Sequence, residues 1–226
     1  HERTWMRGSV KTGSDGAFTL PAVDADPVVL LVEHEEYCLF EGALGVDEST
    51  VTVRLERGAT VRGAVERRDS SVAARSEKGF DYTHASDGRY RFKTLPAGKI
   101  TFWTNRGAVR VIDVPASGAV QVDLARRGGV HLALRVPAGI FAVLIPGEVP
   151  LPTRSGELST AITPESAPNG GREFKRLPPG TYTLILGRRQ ATWVEFSTQP
   201  LKVHASPSEQ RVDVQMPDAF PGVIRK

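Results

Sequence analysis

The residues from which this chain could build a reactive centre are five histidines, one cysteine and 26 acidic side chains. A zinc hydrolase of the His-x-x-Glu kind needs Glu three residues after His so that both reach one ion. None of the five histidines has that neighbour. "EHEEY" (Glu33 to Tyr37) gathers His34 and three carboxylates, but on a strand Glu33 and Glu35 face one way and His34 and Glu36 the other. Two ligands per face suit a solvated charged edge better than a metal. "VDADP" offers Asp24 and Asp26 without the further oxygen ligands of a calcium loop, and it reads as a turn. Cys38, between Tyr37 and Leu39, has no basic or His neighbour in sequence to lower its pKa, and it reads as a buried structural thiol. No "G-x-S-x-G", phosphate-binding loop or dinucleotide fingerprint is present. The expectation is a chain without catalytic residues, metal or cofactor.

Binding surfaces remain. Trp103 follows Phe102 in a strand and so points the opposite way, while Trp193 shares a face with Glu195 and opposes Val194 and Phe196. If exposed, the two tryptophans would form a sugar-stacking or protein-contact surface, making the chain a carbohydrate-binding module. The competing expectation is that sandwich cores take them. The net charge is only +3 against 29 basic side chains, and the doublets Arg67-Arg68, Arg126-Arg127 and Arg188-Arg189 are scattered. They read as solvated strand ends that discourage edge pairing, which argues against nucleic acid as a partner. One cysteine allows no internal disulfide, so an apolar core must hold the fold. No apolar run approaches the roughly 20 residues that cross a bilayer, which argues against direct membrane insertion. Beginning at His1 without a signal-peptide pattern, the chain reads as a processed product or an excised fragment.

Strands must position whatever these residues do. "RYRFK" (Arg89 to Lys93), "VQVDL" (Val120 to Leu124) and "RVDVQM" (Arg211 to Met216) alternate with a period of two. "IFAVLI" (Ile140 to Ile145) is continuously apolar and suits a strand buried on both faces. No window sustains a helical period over three turns, and 22 Gly with 16 Pro interrupt the chain too often for long helices. The chain therefore reads as all-β with the turn spacing of a sandwich.

The turns repeat. "SDGAFTLPA" (Ser14 to Ala22) returns as "SDGRYRFKTLPAG" (Ser86 to Gly98) and, worn, as "GGREFKRLPPGTYTL" (Gly170 to Leu184). "VTVRLERGATVRGAV" (Val51 to Val65) matches "VQVDLARRGGVHLALRV" (Val120 to Val136), with Gly58 on Gly128. Asp15-Gly16 and Asp87-Gly88 supply the positive-φ positions of tight hairpins. At Pro96 with Gly98, and at Pro178 with Gly180, Pro fixes φ and Gly takes the strained position of a second turn. The expected units are 1–57, shortened or incomplete, 58–127, and 128–217, divergent, with a tail at 218–226.

This layout, "V-x-G-x-V", then "DG-x-F/Y-x-F/L", "LP-x-G-x-Y/I" and "V-x-V-x-L", resembles the carboxypeptidase regulatory-like and Cna-B-type domains of the transthyretin-like superfamily. The resemblance implies Greek-key sandwiches of seven strands. Such modules serve as spacers, stalks or accessory binding modules on secreted, periplasmic, outer-membrane or surface proteins of bacteria. It implies as partner another protein or the rest of a larger parent, with a glycan as the alternative.

Two departures stand out. Cna-B domains often carry a Lys–Asn isopeptide bond, but Asn105 and Asn169 lie outside closing strands, while Asp123 and Asp213 occupy the polar side of theirs, which argues against such a bond. Moreover "TWMRGSV" (Thr4 to Val10) aligns with "ATVRGAV" (Ala59 to Val65), yet four residues separate Val10 from Asp15, against twenty-one between Val65 and Asp87. The first unit is expected to lack a strand, or to have its opening strand upstream. In the second case an unpaired edge is left that another chain could pair with.

Overall fold

Alternation of apolar and polar residues commits one face of each strand to a core. The computed structural model describes residues 10–20, 28–44, 50–68, 70–126, 128–149, 155–166, 171–189, 193–206, 210–214 and 220–225. In chain order the first elements are β1 (Val28–His34) and β2 (Tyr37–Leu44). Next come β3 (Ala59–Ala64), β4 (Ser71–Ser76), β5 (Gly79–His84), β6 (Arg89–Leu95), β7 (Gly98–Thr104), β8 (Val109–Val114) and β9 (Ala119–Gln121).

Strands β3 to β9 build one sandwich. β3 lies between antiparallel β6 and parallel β9, and the facing sheet runs β5-β4-β7-β8. Val61, Tyr90 and Phe92 from the first sheet meet Val72, Ala74, Ile100 and Phe102 from the second, all buried. Each large apolar side chain so removed from water contributes about 2 kcal/mol. Tyr90 also donates its hydroxyl to the Val122 carbonyl at 2.5 Å, and burial raises its pKa.

The second sandwich repeats the plan. Its first sheet holds β10 (Val130–Arg135) between antiparallel β13 (Arg172–Leu177) and parallel β16 (Gln210–Asp213), with β12 (Glu165–Ser166) outside β13. The facing sheet runs in the order β11 (Phe141–Pro146), β14 (Gly180–Arg189), β15 (Trp193–Val203) and β17 (Gly222–Arg225). Gly222–Arg225, expected as a tail, is thus an edge strand paired with β15. Ala142 to Pro146 are all buried, in keeping with the continuous apolar run.

Between β11 and β13 the two sandwiches diverge. Where the first has the tight β4–β5 hairpin, the second has a helix, α1 (Ser155–Thr160), followed by β12.

The turn motifs set these registers. Asp87 (φ 52°) and Gly88 (φ 74°) form the two-residue turn before β6, with Ser86 and Arg89 exchanging both backbone hydrogen bonds at 2.8 and 2.9 Å, as a type I′ turn does. A Cβ on Gly58 would stand 2.2 Å from the Leu95 carbonyl, and one on Gly129 would stand 2.5 Å from that of Leu177, whereas Gly128 meets nothing. The structural counterpart of Gly58 is therefore Gly129, one residue beyond the sequence match, because the close approach to the end of the "LP" strand defines the position.

In the first unit β1 and β2 form a two-stranded sheet. Glu35 and Glu36 are its hairpin turn, and the Glu36 amide donates to His34 Nδ1 at 3.1 Å. "EHEEY" is thus no continuous strand, and its side chains do not alternate as the sequence reading expects. Val51 to Leu55 keep the alternating exposure of a closing strand but are in no ladder. Thr4 to Ser9, the segment the sequence aligns with an opening strand, lie outside the described residues.

Candidate functional site

Phe102 and Trp103 are neighbours in β7, each with 0% exposure. Phe102 fills the interior of the first sandwich, while Trp103 points out of it, with Ala73 and Phe80, into the apolar cluster of the second. The indole Nε1 donates to the Thr160 carbonyl at 3.0 Å. Trp103 therefore offers no face to a sugar, because the joint between the sandwiches covers it. Trp193 begins β15, paired with Arg225; its side chain lies outside the described residues.

Helix α1 makes that joint. Arg75 on β4 pairs with Glu157 at 2.5 Å, with side-chain exposures of 21% and 7%, and its guanidinium sits 5.3 Å from the Phe80 ring centroid. Removing one partner of so buried a pair strands the other charge, which costs several kcal/mol. Gly156 lets the helix approach Tyr82, since a Cβ there would stand 2.6 Å from the ring. Thr160, fully buried, donates its hydroxyl back to the Gly156 carbonyl at 2.9 Å. Beyond the helix, Ile162 exchanges backbone hydrogen bonds with Leu144 at 3.0 and 2.7 Å, and the Thr163 amide donates to the Asn105 carbonyl at 3.1 Å. Asn105, considered for an isopeptide bond, is thus part of the β7–β8 turn at the joint.

The remaining sequence candidates fall elsewhere. Asp15 accepts the Ala17 amide at 3.0 Å and Gly16 has φ 79°, a turn that no strand flanks among the described residues. Gly98 opens β7 with φ 113°; Gly180 opens β14, and the Pro178 carbonyl accepts the Tyr182 hydroxyl at 2.7 Å. Pro96, half-buried, precedes Gly98 in the turn from β6 to β7. Asp123 is exposed and accepts from the Ala64 amide at 2.9 Å and the Gln121 side chain at 2.7 Å. The first of these bonds, then the second, holds its carboxyl below the usual value. Asp213 lies 3.9 Å from Arg135, both well exposed. Asp24, Asp26 and Asn169 lie outside the described residues. Cys38 is buried against Gly58, and burial, then the Glu56 charge, raises its thiol pKa. Among the described residues no three His, Cys, Asp or Glu gather as a metal site, and no helix is long and apolar enough to cross a membrane.

A partly open polar crevice of about 100 Å³ lies beside the joint. Arg67, Arg106 and Arg126 line it with Glu66 and Glu165, and Ser70 and Thr104 lie against its wall. Sequence reasoning leaves Arg67 and Arg126 in scattered doublets because only the fold brings their loops together. The helix side of the joint had one signal in sequence, the longer connection of residues 147–171 where the first sandwich uses 77–88.

No protein-family profile and no curated protein matches the chain. Among solved structures, the Bacillus anthracis TIE protein is 13% identical over 70% of this chain, with a TM-score of 0.26, and this chain spans 33% of it. GBS52, the minor pilin of Streptococcus agalactiae, is 12% identical over 72% of this chain and 99% of its own, with a TM-score of 0.25. A streptococcal ancillary pilin is 12% identical over 81% of this chain and 72% of its own, with a TM-score of 0.23.

Proposed function

We propose that the chain is a non-catalytic structural or protein-binding segment, a tandem of carboxypeptidase regulatory-like sandwiches. It acts as a spacer, stalk or interaction module in a larger exported or cell-surface bacterial protein. Its units are 1–57, 58–127 and 128–217, with Gly222–Arg225 added to the last. The observation that carries this reading is the joint. A flexible string of domains needs no shared core, but here Trp103, Phe80 and Ala73 of one sandwich are buried in the apolar cluster of the next. Such a contact fixes direction from one unit to the next, which is what a spacer requires. The first unit, with β1 and β2 as a two-stranded sheet, is where edge pairing with another protein or with the parent would occur.

Small-angle scattering of the whole chain tests the spacer. The maximum dimension should stay constant between low and high salt, since apolar contact rather than surface charge holds the joint. A dimension that grows with salt, or a distribution of the kind expected from freely jointed units, would refute it.

A further inference from the structure

We propose that the outer face of the β6-β3-β9 sheet docks an acidic segment of another protein, an extended stretch with carboxylates on alternate residues. Val61, Tyr90, Phe92 and Leu95 of this sheet are buried in the first sandwich. The residues between them face outward. There β3 carries Arg62, and β6 carries Arg89, Arg91 and Lys93, all exposed. Arg62 stands directly opposite Arg91, and Arg89 opposite Ala64.

Like charges directly opposed across a ladder destabilise it, so folding alone gives no reason for this pairing. Among the described residues none of the four side chains enters an ion pair or a hydrogen bond. Asp123, the carboxylate that follows β9, already accepts from the Ala64 amide and the Gln121 side chain, and Asp87 belongs to the turn before β6. The second sandwich treats the same face differently. There Glu173 precedes buried Phe174 as Arg91 precedes Phe92, and it faces His131 at 3.3 Å. Lys175 pairs with Glu165 at 2.8 Å, and Arg135 lies 3.9 Å from Asp213. One fold therefore accommodates a neutralised face, and the positive surplus is peculiar to the first sandwich.

Arg89, Arg91 and Lys93 recur on every second residue, about 7 Å apart along β6. Carboxylates on alternate residues of an extended peptide have the same spacing, and guanidinium forks match them bidentately. The outward residues of β3, β6 and β9 include no aromatic ring, so the face offers a nucleobase nothing to stack on. Because the cations are exposed, binding is modest and falls with salt. The proposal gives the chemistry of a partner for the interaction module and rests on that reading, whereas the scattering test of the joint stands apart from it.

The test titrates the whole chain with a synthetic peptide alternating Glu and Ser, read by amide NMR shifts and fluorescence anisotropy. A Lys–Ser peptide and a single-stranded oligodeoxynucleotide serve as comparators. The Glu–Ser peptide should bind saturably, move the Arg62, Arg89, Arg91 and Lys93 signals first, and weaken about tenfold between low and physiological salt. Arg62→Gln with Arg91→Gln should weaken it at least fivefold, while Arg135→Gln, on the corresponding face of the second sandwich, should leave it unchanged. Relief of the opposed charges should also raise the Tm of Arg91→Gln by roughly one to a few degrees, a gain that damage to the fold would not produce. Absence of saturable binding, shifts confined to other surfaces, or undiminished binding in the double variant would overturn the proposal. Tighter binding of the oligonucleotide would overturn it too, by showing a face for phosphate polymers rather than for an acidic protein segment. Should the double variant fail to fold, the shift pattern of the unmodified chain decides on its own.

Discussion

Phe102→Ala and Trp103→Ala remove adjacent, fully buried aromatic rings from one strand, yet they should damage the protein in different ways. Each truncation costs about 3–5 kcal/mol in lost burial and cavity formation. Trp103→Ala also deprives the Thr160 carbonyl of its donor at 3.0 Å, which adds about 1 kcal/mol or more for a buried acceptor left unpaired. The total, on the order of 5 kcal/mol, rivals the whole stability of a small domain. Phe102 lies inside the first sandwich, so its loss should lower the midpoint of a single urea transition shared by the coupled sandwiches. Trp103 lies between the sandwiches, so its loss should divide that transition in two. Circular dichroism with amide hydrogen exchange resolves the difference, because uncoupled units acquire separate opening free energies. If Trp103→Ala unfolds in one step with an undiminished m-value, the claim that this side chain couples the units fails.

Two further outcomes follow from titratable groups. Because bonds present in the fold depress the Asp123 pKa, its contribution is complete above the ordinary Asp value near 3.9 and is lost as pH falls through the lower folded value. Asp123→Asn, which keeps an acceptor for Ala64, should therefore flatten the acid limb of the stability curve below about pH 4; a carboxyl NMR midpoint at or above the ordinary value would contradict this. Cys38 is 6% exposed with a raised thiol pKa, so iodoacetamide at mild alkaline pH should label it roughly 100-fold more slowly in the native chain than in urea. Comparable rates in the two states would show an accessible thiolate.

The parts of this fold that can be read from sequence are those encoded within a few residues. Asp87-Gly88 dictates a type I′ turn by itself, and "IFAVLI" announces a strand covered on both faces before its neighbours are known. The alternation of Phe102 and Trp103 likewise shows that the two rings point apart. What covers Trp103 is not encoded near it, since α1 arrives some fifty residues later in the chain. At six residues, that helix is too short to show a period, and burial against β4 and β5 rather than propensity holds it. The crevice is hidden for a related reason. Its arginines sit in three loops whose convergence is a property of the sandwich end, not of any motif.

The parallel pairing of β3 with β9, and of β10 with β16, has a mechanical consequence. In each sandwich the first and last strands of the repeat lie side by side and run the same way, so tension on the two ends of the unit pulls them in opposite directions along their length. The ladder hydrogen bonds are then loaded together in shear, and none can open before its neighbours, unlike the ends of a hairpin, which unzip one bond at a time. In the first sandwich resistance to stretching is therefore set where the chain enters and leaves it, whereas in the second the chain runs on from β16 into β17, which closes a different sheet, outside that parallel pair.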